Sequence, residues 1–238
     1  MSAIAVVGKS GSGKSTSIGQ IPELGIKGLN PKTTVIINVA GKDLPFRGWT
    51  KVYGGDIKSG GNYIETSDAE TVSKVIKYVS ESRPDIKDVI IEDGQFIMSF
   101  EFMRRAKESG YGKFADIGVN MAKVLESART TRKDLKVYFM WHPEEDKDLG
   151  YKMLTVGKMV NDYLTLEGLF TVILYTNIVK GNDNKVNYQF VTNNDGKSPA
   201  KSPVGMFKET YIPNDLAFVS QSIDQYNSGE VVSSTKVA

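Results

Sequence analysis

Cysteine is absent from this chain of 238 residues, so disulfides, thiolate metal sites and cysteine nucleophiles are excluded. No apolar run approaches the roughly 20 residues needed to cross a bilayer. The first apolar run begins almost at the amino terminus, which leaves no room for a signal peptide. The expectation is a cytoplasmic protein with no membrane partner. An excess of either charge is also lacking: the formal net charge is +2, too small for a general footprint on nucleic acid. Any DNA contact therefore needs a local concentration of basic residues. Histidine occurs once, at His142. Nothing separates the chain into halves, and there is no internal repeat and no long polar linker. Length and ordinary composition fit one α/β domain, expected over 1–227, with 228–238 as a flexible tail.

What is present is an octapeptide, Gly8-Lys9-Ser10-Gly11-Ser12-Gly13-Lys14-Ser15, matching the phosphate-binding pattern GxxxxGK[ST]. Its context fits the chemistry. The apolar run Ala3 to Val7 reads as a buried strand before it, and Ser15 to Gln20 reads as the opening of a helix after it. Glycines let the backbone N–H groups turn inward around a phosphate, and a helix amino terminus adds partial positive charge. Lys14 can then reach the β- and γ-phosphates, the Ser15 hydroxyl can ligate Mg²⁺, and Thr16 completes the binding segment. The octapeptide predicts a nucleoside triphosphate site, with ATP and Mg²⁺ as the expected ligands.

Further strands are expected at Thr33–Ala40, Asp88–Asp93, Lys136–Trp141 and Phe170–Thr176. Each is a short apolar or β-branched run. A short strand is also expected at Lys51-Val52-Tyr53. Lys185–Thr192 should pair back on Phe170–Thr176 across a turn at Gly181-Asn182-Asp183-Asn184. Helices are expected after Ser67-Asp68-Ala69-Glu70, which has capping-box spacing, and through Phe96–Met103, Phe114–Ala128, Val156–Leu164 and from Asn214 onward. Strands alternating with helices imply parallel crossovers and a doubly wound, mostly parallel sheet.

Two further signals carry chemistry. The third apolar strand ends in Glu92-Asp93, and a strand that delivers carboxylates beside a phosphate loop suits the Mg²⁺ shell of such enzymes. Neighbours on a strand face opposite sides, so one acid can serve the metal while the other polarises the attacking water. His142 closes the fourth strand, at the sheet edge where open α/β sheets bind ligands, and can sense the γ-phosphate.

Taken in order, GKSGSGKS, VIIEDGQFIM, MWH followed by PEED, and FVTNNDGKSPAKSPVGMF resemble phage-encoded ATP-binding proteins with a RecA-like core. These are related to RadA-type recombinases and associated with single-strand annealing, recombination and replication. The resemblance implies a RecA-like fold in which the His142 strand lies between the phosphate-loop strand and the Glu92-Asp93 strand. It implies single-stranded DNA and a phage single-strand-binding protein as partners. It also implies assembly into a homo-oligomer. Lys201, in a Gly/Ser/Pro-rich loop with Lys197, would then act as a finger on a neighbour's γ-phosphate. An extra lysine at the position of Lys9 occurs in dimerising MinD-like ATPases, but here it reads as incidental.

The chain also departs from this pattern. RecA-type enzymes place a catalytic Glu at the end of the second strand, whereas this region reads Asn38-Val39-Ala40-Gly41-Lys42-Asp43. The general base therefore lies among Glu92, Asp43 and Glu144, and slow hydrolysis is expected. No Phe-x-x-Ala linker motif is apparent. The basic, aromatic linker Arg104–Lys113 is the candidate DNA surface. A nucleoside or nucleotide kinase is the competing reading, although the few arginines form no obvious lid. A slow nucleotide-dependent assembly switch is a third.

Overall fold

The computed structural model describes residues 3–147, 150–161, 164–180 and 186–229. The strands are β1 (Ala3–Val7), β2 (Thr34–Asn38), β3 (Tyr63–Glu65), β4 (Asp88–Glu92), β5 (Lys136–Trp141), β6 (Pro143–Asp146), β7 (Gly150–Met153), β8 (Val172–Lys180), β9 (Val186–Val191) and β10 (Tyr211–Pro213). The helices are α1 (Trp49–Val52), α2 (Ala69–Ser82), α3 (Phe96–Arg104), α4 (Gly112–Arg129), α5 (Lys158–Asn161), α6 (Leu166–Leu169) and α7 (Leu216–Ser228).

Among the described residues, eight strands form one sheet in the order β10-β9-β8-β1-β5-β4-β2-β3, and β6 and β7 pair as a separate hairpin. The run from β8 to β3 is parallel, while β9 is antiparallel to β8 and to β10. The molecule is therefore α/β with a mostly parallel sheet. The four central strands are buried at every residue, as expected when both faces are covered, which is why they read as unbroken apolar runs. Val7, Ile37, Ile91, Phe139 and Trp141 pack under α2, α3 and α4 on one face. Ile4, Val6, Ile36, Ile90 and Met140 pack on the other against α7, Ile18, Leu44 and Phe207.

Helix α2 forms where expected, although its cap is Asp68 and not the Ser67 of the capping-box spacing. Asp68 caps it by accepting from the Thr71 N–H at 2.8 Å, and Val72, Val75, Ile76 and Val79 form the buried stripe. Two expectations fail. Lys51-Val52-Tyr53 is not a strand, since Trp49–Val52 is a single helical turn and the edge strand is Tyr63–Glu65. The segment after the glycine loop is not a long helix. Ser15–Ile18 makes one 3₁₀ turn that closes at Gly19. A Cβ on Gly19 would meet the Phe46 ring at 2.5 Å, and the chain then bends into a bridge between Ile21 and Ile26 and a second turn started by Pro22. Of the helix expected over Val156–Leu164, α5 (Lys158–Asn161) is described, and residues 162–163 lie outside the described residues. The turn expected at 181–184, and the tail from 230 onward, lie outside the described residues.

Helix α7 is fixed by Asp215, which is buried. Its carboxylate accepts from the N–H groups of Ala217, Lys27 and Gly28 at 2.9, 2.9 and 3.0 Å, so it caps the helix and ties it to the turn beyond the glycine loop. Asp215→Ala removes a cap and leaves buried donors without partners. The expected loss is about 2–4 kcal/mol, read as a lower urea midpoint at unchanged slope.

Candidate functional site

Parallel pairing brings the carboxyl ends of β1, β2, β4 and β5 to one edge, and the site is built there. β1 runs into the glycine loop, with the Gly8 N–H bonded to the Trp141 carbonyl at 3.0 Å. β4 delivers Glu92 and Asp93, β5 delivers His142, and β2 runs into the segment 42–47. A cavity of about 550 Å³ opens between them, lined by Ser10 to Thr16, Ile21, Glu23, Leu24, residues 42–47, Glu92, Asp93, His142 and Tyr188.

The loop conformation needs its glycines. Gly13 sits at φ +94°, in the left-handed region, with Tyr188 and Asn214 about 3 Å from where a Cβ would stand. A Cβ on Gly8 would fall 1.8 Å from the Thr176 hydroxyl. That hydroxyl donates to Ser12 Oγ at 2.7 Å, and Ser12 Oγ donates to the Lys9 carbonyl at 2.6 Å, so β8 clips the loop from behind. Lys14 is buried, and its ammonium donates to the carbonyls of Gly8 and Lys9 at 2.7 and 3.0 Å. Burial lowers its pKa to about 8, although the nearby Glu92 and Asp93 favour the charged form. Lys9 points away from the cavity, with Nζ 3.6 Å from Glu145 and 4.6 Å from the centre of the Tyr151 ring.

The Ser15 hydroxyl donates to the Glu92 carboxylate. Glu92 is fully enclosed, and burial together with the neighbouring Asp93 pushes its pKa up to about 7. Its second oxygen, Oε2, is buried and has no hydrogen-bond partner. An orphaned carboxylate oxygen beside a hydroxyl is the donor set of a Mg²⁺ that takes one or two protein oxygens and completes its shell with water and phosphate. The residues therefore fit the metal.

Asp93 faces differently because the strand ends at Glu92 and Asp93 itself has φ +56°. Its carboxylate pairs with His142 Nε2 at 3.3 Å and with Lys42 Nζ at 2.5 Å. Burial acts to raise its pKa, but the hydrogen bonds from His142 and Lys42 outweigh it and hold the group near 2. Of the candidate bases, Asp43 is exposed and lines the cavity, whereas Glu144 sits in the β6–β7 hairpin against Lys152 and does not.

Lys201 lies elsewhere and in a different setting from the expected free loop. Its backbone N–H and carbonyl pair with Ile173 at 2.9 and 2.8 Å, near the start of β8, and it does not line the cavity. The Arg104–Lys113 segment is also committed internally. Arg105 is shared among Glu101, Glu108 and Asp116, and Lys113 packs over Phe102 and Phe114 while donating to the Glu108 carbonyl. Two of the expected DNA-facing cations are thereby neutralised or turned inward. Among the described residues, no helix is long and apolar enough to cross a membrane. Lys42, Thr176 and Tyr188 are site residues that spacing along the chain does not reveal. No protein-family model matches this sequence, and no curated protein matches it.

Proposed function

We propose that this protein is a P-loop nucleoside triphosphatase of the RecA-like type that binds Mg·ATP in the loop cavity and hydrolyses it slowly. The observation that carries the proposal is the hydrogen bond from Ser15 to the buried Glu92, which joins a phosphate loop to an orphaned acid in one cavity with Lys14. The position of β5 between β1 and β4 supports the RecA-like reading. Ser15 and Glu92 would hold the Mg²⁺, which neutralises developing phosphate charge when bound. Lys14 leaves the Gly8 and Lys9 carbonyls for the β- and γ-phosphates. Asp93, oriented by His142, would orient and polarise the attacking water, because it is the acid turned away from Ser15. Among the described residues lining the cavity Arg47 is the one arginine, so a second phosphorylated substrate lacks the clamp that a kinase uses.

The sequence resemblance extends the proposal to a homo-oligomer acting on single-stranded DNA in annealing, recombination or replication, with a phage single-strand-binding protein as partner. In that assembly Lys201 would serve a neighbour's site.

Calorimetric titration with Mg·ATP and Mg·ADP tests the first level: saturable one-site binding is expected, and no heat with either nucleotide sinks the proposal. At the second level, oligonucleotide binding should strengthen with ATP and weaken linearly with log salt. Lys201→Ala should keep ATP affinity and lose turnover. A chain that stays monomeric with ATP and oligonucleotide, and turns over independently of its own concentration, removes the assembly from the proposal.

A further inference from the structure

Lys42 lies four residues beyond the end of β2, and its backbone is held there by Asn38. Asn38, the buried last residue of β2, accepts from the Gly41 N–H at 3.0 Å and donates to the Lys42 carbonyl at 2.6 Å. The turn is thus pinned at both ends by one amide, and Lys42 lines the same cavity as Lys14 and Ser15. Its ion pair with Asp93 is strongly asymmetric: the Lys42 side chain is 61% exposed, whereas the Asp93 side chain is 2% exposed. The carboxylate is fixed by burial, by His142 and by its left-handed backbone. The lysine, on a flexible four-carbon stem with a compact charge, can exchange partners without unburying anything.

We propose that Lys42 is a γ-phosphate-sensing cation that is parked on Asp93 in the free protein and transfers to the terminal phosphate when a nucleoside triphosphate binds. The proposal rests on the nucleotide reading above and extends it. A doubly ionised terminal phosphate entering beside Asp93 brings more negative charge than one carboxylate, so it draws the mobile cation across. The transfer leaves Asp93 with His142 alone and free to accept a hydrogen bond from the attacking water. A diphosphate places no γ-phosphoryl group at this end, and Lys42 stays on Asp93. The cavity would in this way distinguish triphosphate from diphosphate within a single chain, before any neighbour contributes.

Equilibrium binding of a non-hydrolysable Mg·ATP analogue and of Mg·ADP, measured calorimetrically, separates the outcomes without reference to turnover. Lys42→Ala should weaken the analogue by roughly tenfold or more, the worth of one charge-assisted contact to phosphate, and leave ADP within about twofold. Lys42→Arg should recover most of the loss. Asp93→Asn should tighten the analogue by releasing the lysine, and the double variant Lys42→Ala/Asp93→Asn should lose that gain. Equal losses for both nucleotides, or no loss for either, overturn the proposal. So does a gain from Asp93→Asn that persists in the double variant, since simple removal of repulsion then explains it. Absence of nucleotide binding by the unaltered protein would instead refute the nucleotide reading itself.

Discussion

Lys14→Met is expected to weaken Mg·ATP binding by roughly 10²–10⁴-fold while leaving the free protein folded. Each charge-assisted hydrogen bond to phosphate is worth about 1.5–3 kcal/mol, and the β- and γ-phosphates would each lose one, giving about 3–6 kcal/mol. Stability should respond very differently. The ammonium is buried, and burial holds its pKa near 8 against 10.5 in an unfolded chain. The unfolded state therefore binds more protons between about pH 8 and 10.5, so the stability of the unaltered protein rises with pH across that window. A size-matched apolar side chain removes the buried charge, which offsets the loss of the bonds to Gly8 and Lys9. The net change at pH 7 should stay within about 1 kcal/mol, small beside the about 2–5 kcal/mol of a core truncation. Calorimetric titration and a denaturation series from pH 7 to 10.5 check both halves. Retained ATP affinity would remove the loop from the site, and an unchanged pH slope would remove the buried charge.

Glu92→Gln is expected to abolish Mg²⁺-dependent tightening of nucleotide binding and to reduce turnover by orders of magnitude. The sign of its stability effect is the informative part. Burial raises the folded pKa to about 7, against 4.5 in the unfolded chain. The folded state binds the extra proton, so stability is fully present below about pH 4.5 and is lost as pH rises to about 7. At one pKa unit per 1.36 kcal/mol the ionised carboxylate costs up to about 3 kcal/mol above that window. Glutamine keeps the shape without the charge, so the variant should be more stable than the parent at pH 8 and similar at pH 4.5. Millimolar Mg·ATP should recover the deficit in the parent alone. For the same reason, Mg·ATP affinity of the parent should rise between pH 6 and 8. A variant that is less stable at pH 8, or that keeps its Mg²⁺ dependence, would take Glu92 out of the metal's shell.

Much of this architecture is legible in the chain because strands buried on both faces must be continuously apolar. β1, β2, β4 and β5 can be read on that ground, and so can the edge to which their last residues point. The hairpin β6–β7 escapes, since Pro-Glu-Glu-Asp and Gly-Tyr-Lys-Met have neither alternation nor an apolar run. Ser15 to Gln20 has acceptable helical propensity, yet the helix stops after one turn. Termination comes from the fit of Gly19 to the Phe46 ring, a contact between segments that no window of sequence contains. The site divides in the same way. Lys14, Ser15, Glu92 and His142 sit at strand ends or in a motif, whereas Lys42 becomes a partner of Asp93 only through the Asn38 turn. The Arg104–Lys113 cations looked available because their carboxylate partners, Glu101 and Asp116, lie in the flanking helices.

The placement of β1 has a consequence for how the chain acquires its shape during synthesis. β1 is central in the sheet, and its two neighbours come much later along the chain: Ala3 pairs with Val137, and Ile4 pairs with Val172. Until β5 and β8 emerge, the strand carrying the loop has two open edges and two apolar faces. High contact order of this kind slows folding, and exposed strand edges invite association. Fragments ending before about residue 180 would lack the Asp215 cap as well as β9, and they should be recovered as aggregates with no nucleotide affinity. The glycine loop precedes both strands that flank β1, so its geometry is complete only once they have paired.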